Sequence, residues 1–361
     1  MSTKLRLGII GSGMMGCEHI RNIKLMPDAT VTALVDPVPE SLQWGLSTLG
    51  SAAAGTRCYS DVGALVAENA VDAVLIVTPN HTHRAILEPL FSSRLHILCE
   101  KPLATSVADA RWIAEQAATH QGVFWVGMEY RYMPPASRFI SEIKDGRVGK
   151  LQMLSIREHR FPFLRKVGDW NRFSRNTGGT MVEKCCHFFD LMRLITGSEA
   201  VRVFCSGAMD VNHIDERYAG EKPDIIDNSY TIVDFSNGMR AMLELCMFAE
   251  GSEEQEELTA VGDVAKLETF IPRSEIVFSP RVPLGAPKRV ERTVVPIDES
   301  ALKAGTHSGA TYYQMRAFLD AIQGRGAVAV SARDGLRAVE IGMAAEISAR
   351  EKRAVSLAEF A

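Results

Sequence analysis

No apolar stretch of the sequence approaches the roughly 20 residues that a membrane-spanning helix needs, which excludes such an anchor within it. Nor is there a long run of lysine or arginine. The formal net charge is -4, and the clustered cationic face required for nucleic-acid binding is missing. The opening residues run straight into the apolar segment 5–10, which a glycine turn follows where a signal peptide has a small-residue cleavage site. The chain therefore reads as cytoplasmic, with neither membrane nor nucleic acid as a partner. A disulfide framework is lacking too, because the seven cysteines are odd in number and scattered through predicted strands and helices. Cys185-Cys186-His187 raises the question of zinc. Structural zinc takes spaced pairs of ligands, however, and neighbouring side chains on a helix diverge by about 100°. No metal is expected, and the thiols read as buried and reduced. Internal repeats and low-complexity linkers are also absent, so closely packed domains are expected.

What remains is an ordinary globular composition, 46% hydrophobic and 23% charged, in 361 residues. That length exceeds one hydrophobic core and implies two domains. The first third alternates predicted strands at 5–10, 30–35, 57–59, 73–77, 96–99 and 123–126 with helical patterns at 14–26, 39–49, 61–69, 82–93 and 107–120. Such alternation predicts right-handed βαβ crossovers and an α/β, doubly wound parallel sheet of the Rossmann type. After about residue 130 the pattern changes. Strands are predicted at 151–159, 201–206, 229–235, 239–248, 257–261 and 265–270, with a helix over 180–196. Asn237-Gly238 and Gly262-Asp263 sit at two reversals, where residues tolerant of positive φ belong. Two helices, 312–322 and 333–350, close the chain. The expected organisation is a dinucleotide-binding domain over 1–127 and an α+β domain with a mostly antiparallel open sheet over 128–361, its last helix able to pack back on the first domain.

Gly11-Ser12-Gly13-Met14-Met15-Gly16 follows the first strand and opens the first helix. In a dinucleotide fingerprint the first glycine permits the tight turn, the second lets backbone approach a pyrophosphate, and the third lets helix pack on strand. The helix amides and dipole then favour the diphosphate. The second strand ends at Asp36, at the spacing where an acid accepts hydrogen bonds from the adenosine ribose. The same residue can also cap the turn before Pro37. An acid here repels a ribose phosphate and no Arg or Lys occupies 37–40, so the expected cofactor is NAD in preference to NADP.

Three further segments carry a resemblance. Thr78-Pro79-Asn80-His81-Thr82-His83 follows the strand at 73–77, and Glu100-Lys101-Pro102-Leu103 follows the strand at 96–99. Gly178-Gly179-Thr180-Met181-Val182-Glu183-Lys184-Cys185-Cys186-His187-Phe188-Phe189-Asp190 comes later. In this order, with Ser331-Ala332-Arg333-Asp334-Gly335-Leu336-Arg337-Ala338-Val339-Glu340 near the end, they resemble the Gfo/Idh/MocA family, named for glucose–fructose oxidoreductase, inositol dehydrogenase and a rhizopine-catabolism protein. The resemblance covers essentially the whole chain.

The residues read the same way physically. The loops Thr78-Pro79-Asn80 and Glu100-Lys101-Pro102 follow carboxyl ends of parallel strands, where open α/β sheets bind ligands. A lysine in a loop is ordinarily a solvated charge, but Lys101 is aimed into that crevice and stiffened by Pro102. Desolvation beside a cofactor is expected to lower its pKa. Glu183, His187 and Asp190 fall at i, i+4 and i+7 of the predicted helix and so share one face, where a carboxylate and an imidazole suit adjacent hydroxyls of one sugar. Alone, His187 reads as a satisfied surface residue or a core histidine bonded to a carbonyl; the resemblance makes it the candidate general acid/base, an imidazole that titrates near working pH. Lys101 polarises the same oxygen or relays its proton, and Glu183 binds and orients a hydroxyl.

The resemblance implies further assignments. Gly11, Ser12, Gly13, Met14, Met15, Gly16, Asp36, Thr78, Pro79, Asn80, His83, Glu100, Lys101 and Trp170 are the cofactor candidates. Lys101, Arg131, Arg157, His159, Glu183, His187 and Tyr312 are the substrate candidates. Arg131, within Glu129-Tyr130-Arg131-Tyr132, either binds a substrate oxygen or bridges domains, and the facing of Arg157 and His159 is open. Two positions depart from the family's usual residues: Glu183 stands where aspartate is common, and Cys185 where glycine is frequent. The implied protein is an NAD-dependent oxidoreductase acting on a sugar, polyol or glycoside and forming a homodimer or homotetramer. NAD-assisted glycoside cleavage through transient oxidation, and a non-catalytic NAD- or sugar-sensing protein, are the alternatives.

Overall fold

Strands of a parallel sheet lose solvent on both faces, and the first part of the chain is written accordingly. The computed structural model describes residues 4–361. In chain order come β1 (Leu5–Ile10), α1 (Met14–Ile23), β2 (Ala29–Val35), α2 (Pro39–Leu49), β3 (Arg57–Tyr59), α3 (Val62–Ala67), β4 (Ala73–Ile76), α4 (His83–Leu90), β5 (His96–Glu100), α5 (Val107–Thr119) and β6 (Phe124–Gly127). Every residue of β4 and β6 is buried. The strands pair in parallel in the order β3-β2-β1-β4-β5-β6. The winding reverses between β1 and β4, which is where such sheets open a ligand crevice. Two helices start on side-chain caps: Asp61 accepts the Ala64 amide for α3, and Ser106 accepts the Asp109 amide for α5.

The rest of the chain forms α6 (Pro134–Lys144), β7 (Leu151–His159), α7 (Ser174–Thr177), α8 (Thr180–Glu183), α9 (Cys186–Thr196), β8 (Ala200–Ala208), β9 (Asn228–Phe235), β10 (Arg240–Cys246), β11 (Glu256–Gly262), β12 (Ala265–Ile271), β13 (Glu275–Pro280), β14 (Glu291–Val294), α10 (Glu299–Ala304), α11 (Ala310–Ile322), α12 (Ala332–Glu351) and β15 (Val355–Ser356). Two compact units result. One joins the described residues up to Glu129 with Asp298–Val339, and the other joins Tyr130–Ile297 with Glu340–Ala361, so the division falls inside α12. In the first unit, the Val126 amide of β6 donates to Val330 O at 3.1 Å. Phe318 of α11 meets Trp125 edge-on at 6.2 Å, and both rings are fully buried.

The second unit is built on nine strands in the order β14-β13-β12-β11-β7-β10-β9-β8-β15. All neighbours are antiparallel except β7 and β10. Burial alternates strictly along β9, β11 and β12, as one covered and one open face require. Strands β13, β14 and β15 and helices α6 and α10 extend the predicted set. Two expectations need correction. The helix predicted over 180–196 is interrupted, because the Cys185 amide reaches back five residues to Thr180 O at 3.2 Å and the next regular turn starts only at Cys186. Gly238 turns the chain with φ +84°, and Gly262-Asp263 do stand at the β11–β12 reversal, but Gly262 is the last residue of β11 without a positive φ and is required for room: a Cβ there would stand 1.9 Å from Val148 O.

Replacing Phe318 with alanine removes a fully buried ring from the first unit. The expected loss is about 3–5 kcal/mol of stability. Urea unfolding followed by tryptophan fluorescence measures it, and an unchanged midpoint contradicts the packing described.

Candidate functional site

The fingerprint turn of the first unit is shaped by what each glycine leaves out. Gly11 has φ +98°, and a Cβ there would lie 2.7 Å from Val77 O. A Cβ on Gly16 would lie 2.1 Å from Gly11 O, so the start of α1 rests directly on the turn. Gly13 is the opposite case, with nothing within 4 Å of the position a Cβ would take. That open space stands at the amino end of α1, where a diphosphate is favoured. Met14 is exposed beside it, whereas Ser12 and Gly16 are buried. Asp36 is buried at the end of β2, its Oδ2 accepting the Ser12 amide at 2.8 Å and its Oδ1 the Val38 amide at 2.9 Å. It thus caps its turn and braces the fingerprint, and each oxygen keeps a second lone pair for a ribose hydroxyl. Ser12 Oγ and Asn80 Nδ2 are buried polar atoms with no hydrogen-bond partner among the described residues. Unsatisfied groups of this kind on two neighbouring loops fit a polar ligand such as NAD.

The loops after β4 and β5 are tied to one another. His83 is fully buried, with Nε2 3.2 Å from Thr78 O and Nδ1 3.0 Å from Pro102 O. Burial holds its pKa below the ordinary value, so the ring is neutral and donates to one of these carbonyls at a time. Its place is between the two loops, inside the unit. Thr78 and Thr82 bond through their hydroxyls at 2.7 Å.

Glu100 has one carboxylate oxygen 2.8 Å from His19 Nε2 and accepts the Lys101 amide on the other at 3.1 Å. Gly127 leaves the room, since a Cβ there would lie 2.9 Å from the Glu100 carboxyl. Burial works against a charged His19, yet Glu100, Glu18 and Glu129 hold its pKa above the ordinary value. Glu129 is itself buried. Burial favours its neutral form, but His307 at 3.0 Å and the Thr311 hydroxyl at 2.5 Å bring its pKa down to about 2. Lys101 is half-buried on this support. Tyr312 is half-buried on α11 in the same unit, its ring edge-on to Tyr313 at 5.3 Å.

In the second unit Gly178 and Gly179 turn the chain at φ +81° and +90° into α8. Glu183 and His187 are both buried, on either side of the widened turn. They are therefore not successive positions of one uninterrupted helical face. The His187 ring stacks parallel on Tyr130, with centroids 4.0 Å apart and planes 9° apart. Tyr130 is anchored in turn by donating to Glu256 Oε1 at 3.3 Å and by a hydrogen bond from Lys184. Lys184 is buried and lies 2.8 Å from Glu158 Oε1. Burial, with help from Arg160, lowers its pKa against the pull of Glu158 and Glu256.

The remaining candidates separate. Arg131 is held by a buried bidentate pair with Asp190, both contacts 2.5 Å. Arg157 pairs with Glu257, and His159 Nε2 lies 3.0 Å from Glu244. These two alternate with the inward Ile156 and Glu158 of β7, so they occupy the open face of the sheet, away from Lys184 and Tyr130. Trp170 is half-buried, its carbonyl accepting from Asn176 at 3.0 Å. Sequence reasoning missed Glu158, Glu256, His19 and His307; the period-2 pattern of β7 sets Glu158 opposite Arg157 and His159 but does not say which face is covered. Among the described residues, no group of three or more His, Cys, Asp and Glu is placed to hold a metal. A cavity of about 300 Å³ borders Asp72, Arg94 and His96 at the amino ends of β4 and β5. It lies at the wrong end of the sheet for the fingerprint, and Asp72 is already paired with Arg6 at 2.7 Å.

Residues 5–128 match the family model described as "Oxidoreductase family, NAD-binding Rossmann fold", and residues 140–357 match the one described as "Oxidoreductase family, C-terminal alpha/beta domain". Myo-inositol 2-dehydrogenase of Thermotoga maritima is 27% identical over 98% of this chain and 99% of its own length. Inositol 2-dehydrogenase of Rhizobium meliloti is 25% identical over 98% and 99%. Among solved structures, levoglucosan dehydrogenase in complex with NADH superposes with a TM-score of 0.85 at 20% identity, covering 98% of this chain and 99% of that one.

The glycine geometry separates fold from binding. A Gly13→Val variant is expected to keep its melting temperature while losing more than about tenfold in NAD affinity, because the branched side chain fills the approach to the diphosphate. Gly16→Ala instead lowers the melting temperature. Thermal melts and NADH fluorescence titration read both, and equal NAD affinity for Gly13→Val and wild type contradicts the cradle.

Proposed function

The chain belongs to the Gfo/Idh/MocA oxidoreductase family, and we propose that it is an NAD-dependent dehydrogenase interconverting a secondary hydroxyl and a ketone on a sugar or an inositol-like polyol. The observation that carries this reading is the His187 imidazole, fixed flat against Tyr130 on the segment that also bears Glu183. The names of its relatives, inositol and levoglucosan dehydrogenases, support a polyhydroxy substrate. Gly11, Gly13 and the α1 amides would hold the diphosphate of NAD, Ser12 and Asn80 would supply polar contacts, and Asp36 would take the ribose. The nicotinamide would supply the hydride acceptor or donor. Asp36 disfavours a ribose phosphate, so NAD is preferred over NADP.

His187 takes the hydroxyl proton during oxidation and returns it during reduction. Lys101 polarises a substrate oxygen, and Glu183 binds a hydroxyl and sets the orientation of the ring. Stacking on Tyr130 limits rotation of the imidazole plane, so little orientation remains to be lost when substrate binds. Screening NADH formation against sugars, inositols and glycosides tests the reading directly. His187→Ala is expected to lower kcat by about 10²–10⁴-fold while NAD affinity is retained. Near-wild-type turnover in that variant, or NAD binding without turnover of any polyol, sugar or keto-sugar, overturns the proposal.

We also propose self-association through the open face of the nine-stranded sheet. Phe204, Ile232 and Met242 are exposed large apolar residues that neighbour one another across paired strands. Light scattering is expected to give a dimer or tetramer, and Ile232→Arg a smaller species. A monomeric wild type refutes it.

A further inference from the structure

The C-terminal helix carries a carboxyl group that the chemistry above does not use. Glu346 of α12 accepts the Met181 amide on Oε1 at 2.9 Å. Met181 is the second residue of α8 and stands two residues before Glu183. The main chain comes this close because residue 179 is glycine: a Cβ there would lie 2.3 Å from the Glu346 carboxyl, and its φ of +90° already disfavours one. One helical turn earlier, Gly342 leaves equal room, since its Cβ would stand 2.6 Å from Met181 O. Two positions of one helix face therefore grip the backbone of 179–182, one through a hydrogen bond and one through contact. Thr180 is fastened from another side, its hydroxyl donating to Ile226 O at 2.6 Å.

We infer that Glu346 is a positioning residue for the segment that delivers Glu183 and His187, acting through the Met181 amide. The functional part of this inference rests on the acid/base reading of His187; the structural part does not.

The surroundings of Glu346 add a readout. It is half-buried by exposure, and the groups that face it are Asp224, Cys205 on β8 and Arg350 on its own helix. Burial, reinforced by Asp224 and opposed by the Met181 bond and Arg350, pushes its pKa up to about 7. A carboxyl whose pKa is raised on folding contributes stability while it is protonated, below its unfolded value. That contribution is lost as pH rises through the folded value near 7. The carbonyl oxygen accepts from Met181 in either state, so glutamine keeps the bond and removes the titration.

The test uses the full chain and three variants, Glu346→Gln, Glu346→Ala and Glu346→Met, the last filling the length without an acceptor. Amide exchange over residues 178–187 is expected to accelerate about tenfold in the alanine and methionine variants and to match wild type in the glutamine variant. Turnover is expected to fall about tenfold in the first two, with NAD affinity retained, and to be restored by glutamine. The melting temperature of Glu346→Gln should gain on wild type between pH 5 and pH 8. Unchanged exchange in both acceptor-less variants, or glutamine behaving like alanine, overturns the inference. If only one acceptor-less variant folds, it alone decides. Because exchange needs no substrate, it stands even if His187→Ala shows the proposed chemistry to be wrong.

Discussion

A charge moved out of water must be met by an opposite charge or a set of donors, and that requirement fixes both chemistry-bearing segments of this chain. In the first unit Glu100 is met by His19 and by the amide of Lys101, and Glu129 by His307 and Thr311. In the second unit Lys184 is met by Glu158, and Arg131 by Asp190. None of these pairs is strong evidence for stability, since desolvation offsets much of the attraction. Their consequence is geometric. Breaking one leaves an uncompensated buried charge, at a cost of about 3–5 kcal/mol, so the main chain beside each pair has few alternatives. Lys101 and His187 stand next to such pairs, and their backbone positions are inherited from them.

Local signals were readable where the physics is local. The fingerprint was legible because a tight turn, a close backbone approach and a helix start each need glycine at a set spacing. Gly11 takes the turn at φ +98°, Gly16 lets the start of α1 rest on Gly11 O, and Gly13 leaves open space at the helix start. Alternating apolar segments gave the parallel sheet, since covered strands read as continuous hydrophobic runs. Asp36 was read both as a turn cap and as a ribose acceptor, and the capping half is present in its bonds to Ser12 and Val38.

What escaped was long-range or depended on a single residue of register. Tyr130 meets Glu256 across 126 positions and Arg131 meets Asp190 across 59, separations at which periodicity carries no information. On β7 the pattern shows that Arg157 and His159 share a face opposite Glu158, but not which face is covered. One residue of slip exchanges the two answers. The break at 184–185 was hidden for a related reason. Thr180 to Thr196 has a helical apolar pattern throughout, and a single amide reaching five residues back shifts everything after it without altering composition. His83 looked like a ligand contact because its motif lies at the crevice, yet its nitrogens face the carbonyls of the two loops that form it.

The same pairs bear on the kind of substrate. An anionic substrate needs a cation to meet its charge, and Arg131 and Lys184 are already matched to Asp190 and Glu158 in buried contacts. Drawing either away leaves a carboxylate uncompensated, and no single charge-assisted hydrogen bond to substrate, at about 1.5–3 kcal/mol, clearly recovers that loss. A neutral polyol imposes no such exchange. Its hydroxyls both donate and accept, which suits a carboxylate at Glu183 and an imidazole at His187 together. On the reading proposed above, the charge balance within the second unit suits a neutral polyhydroxy substrate; Lys101 belongs to the first unit and is not part of that balance.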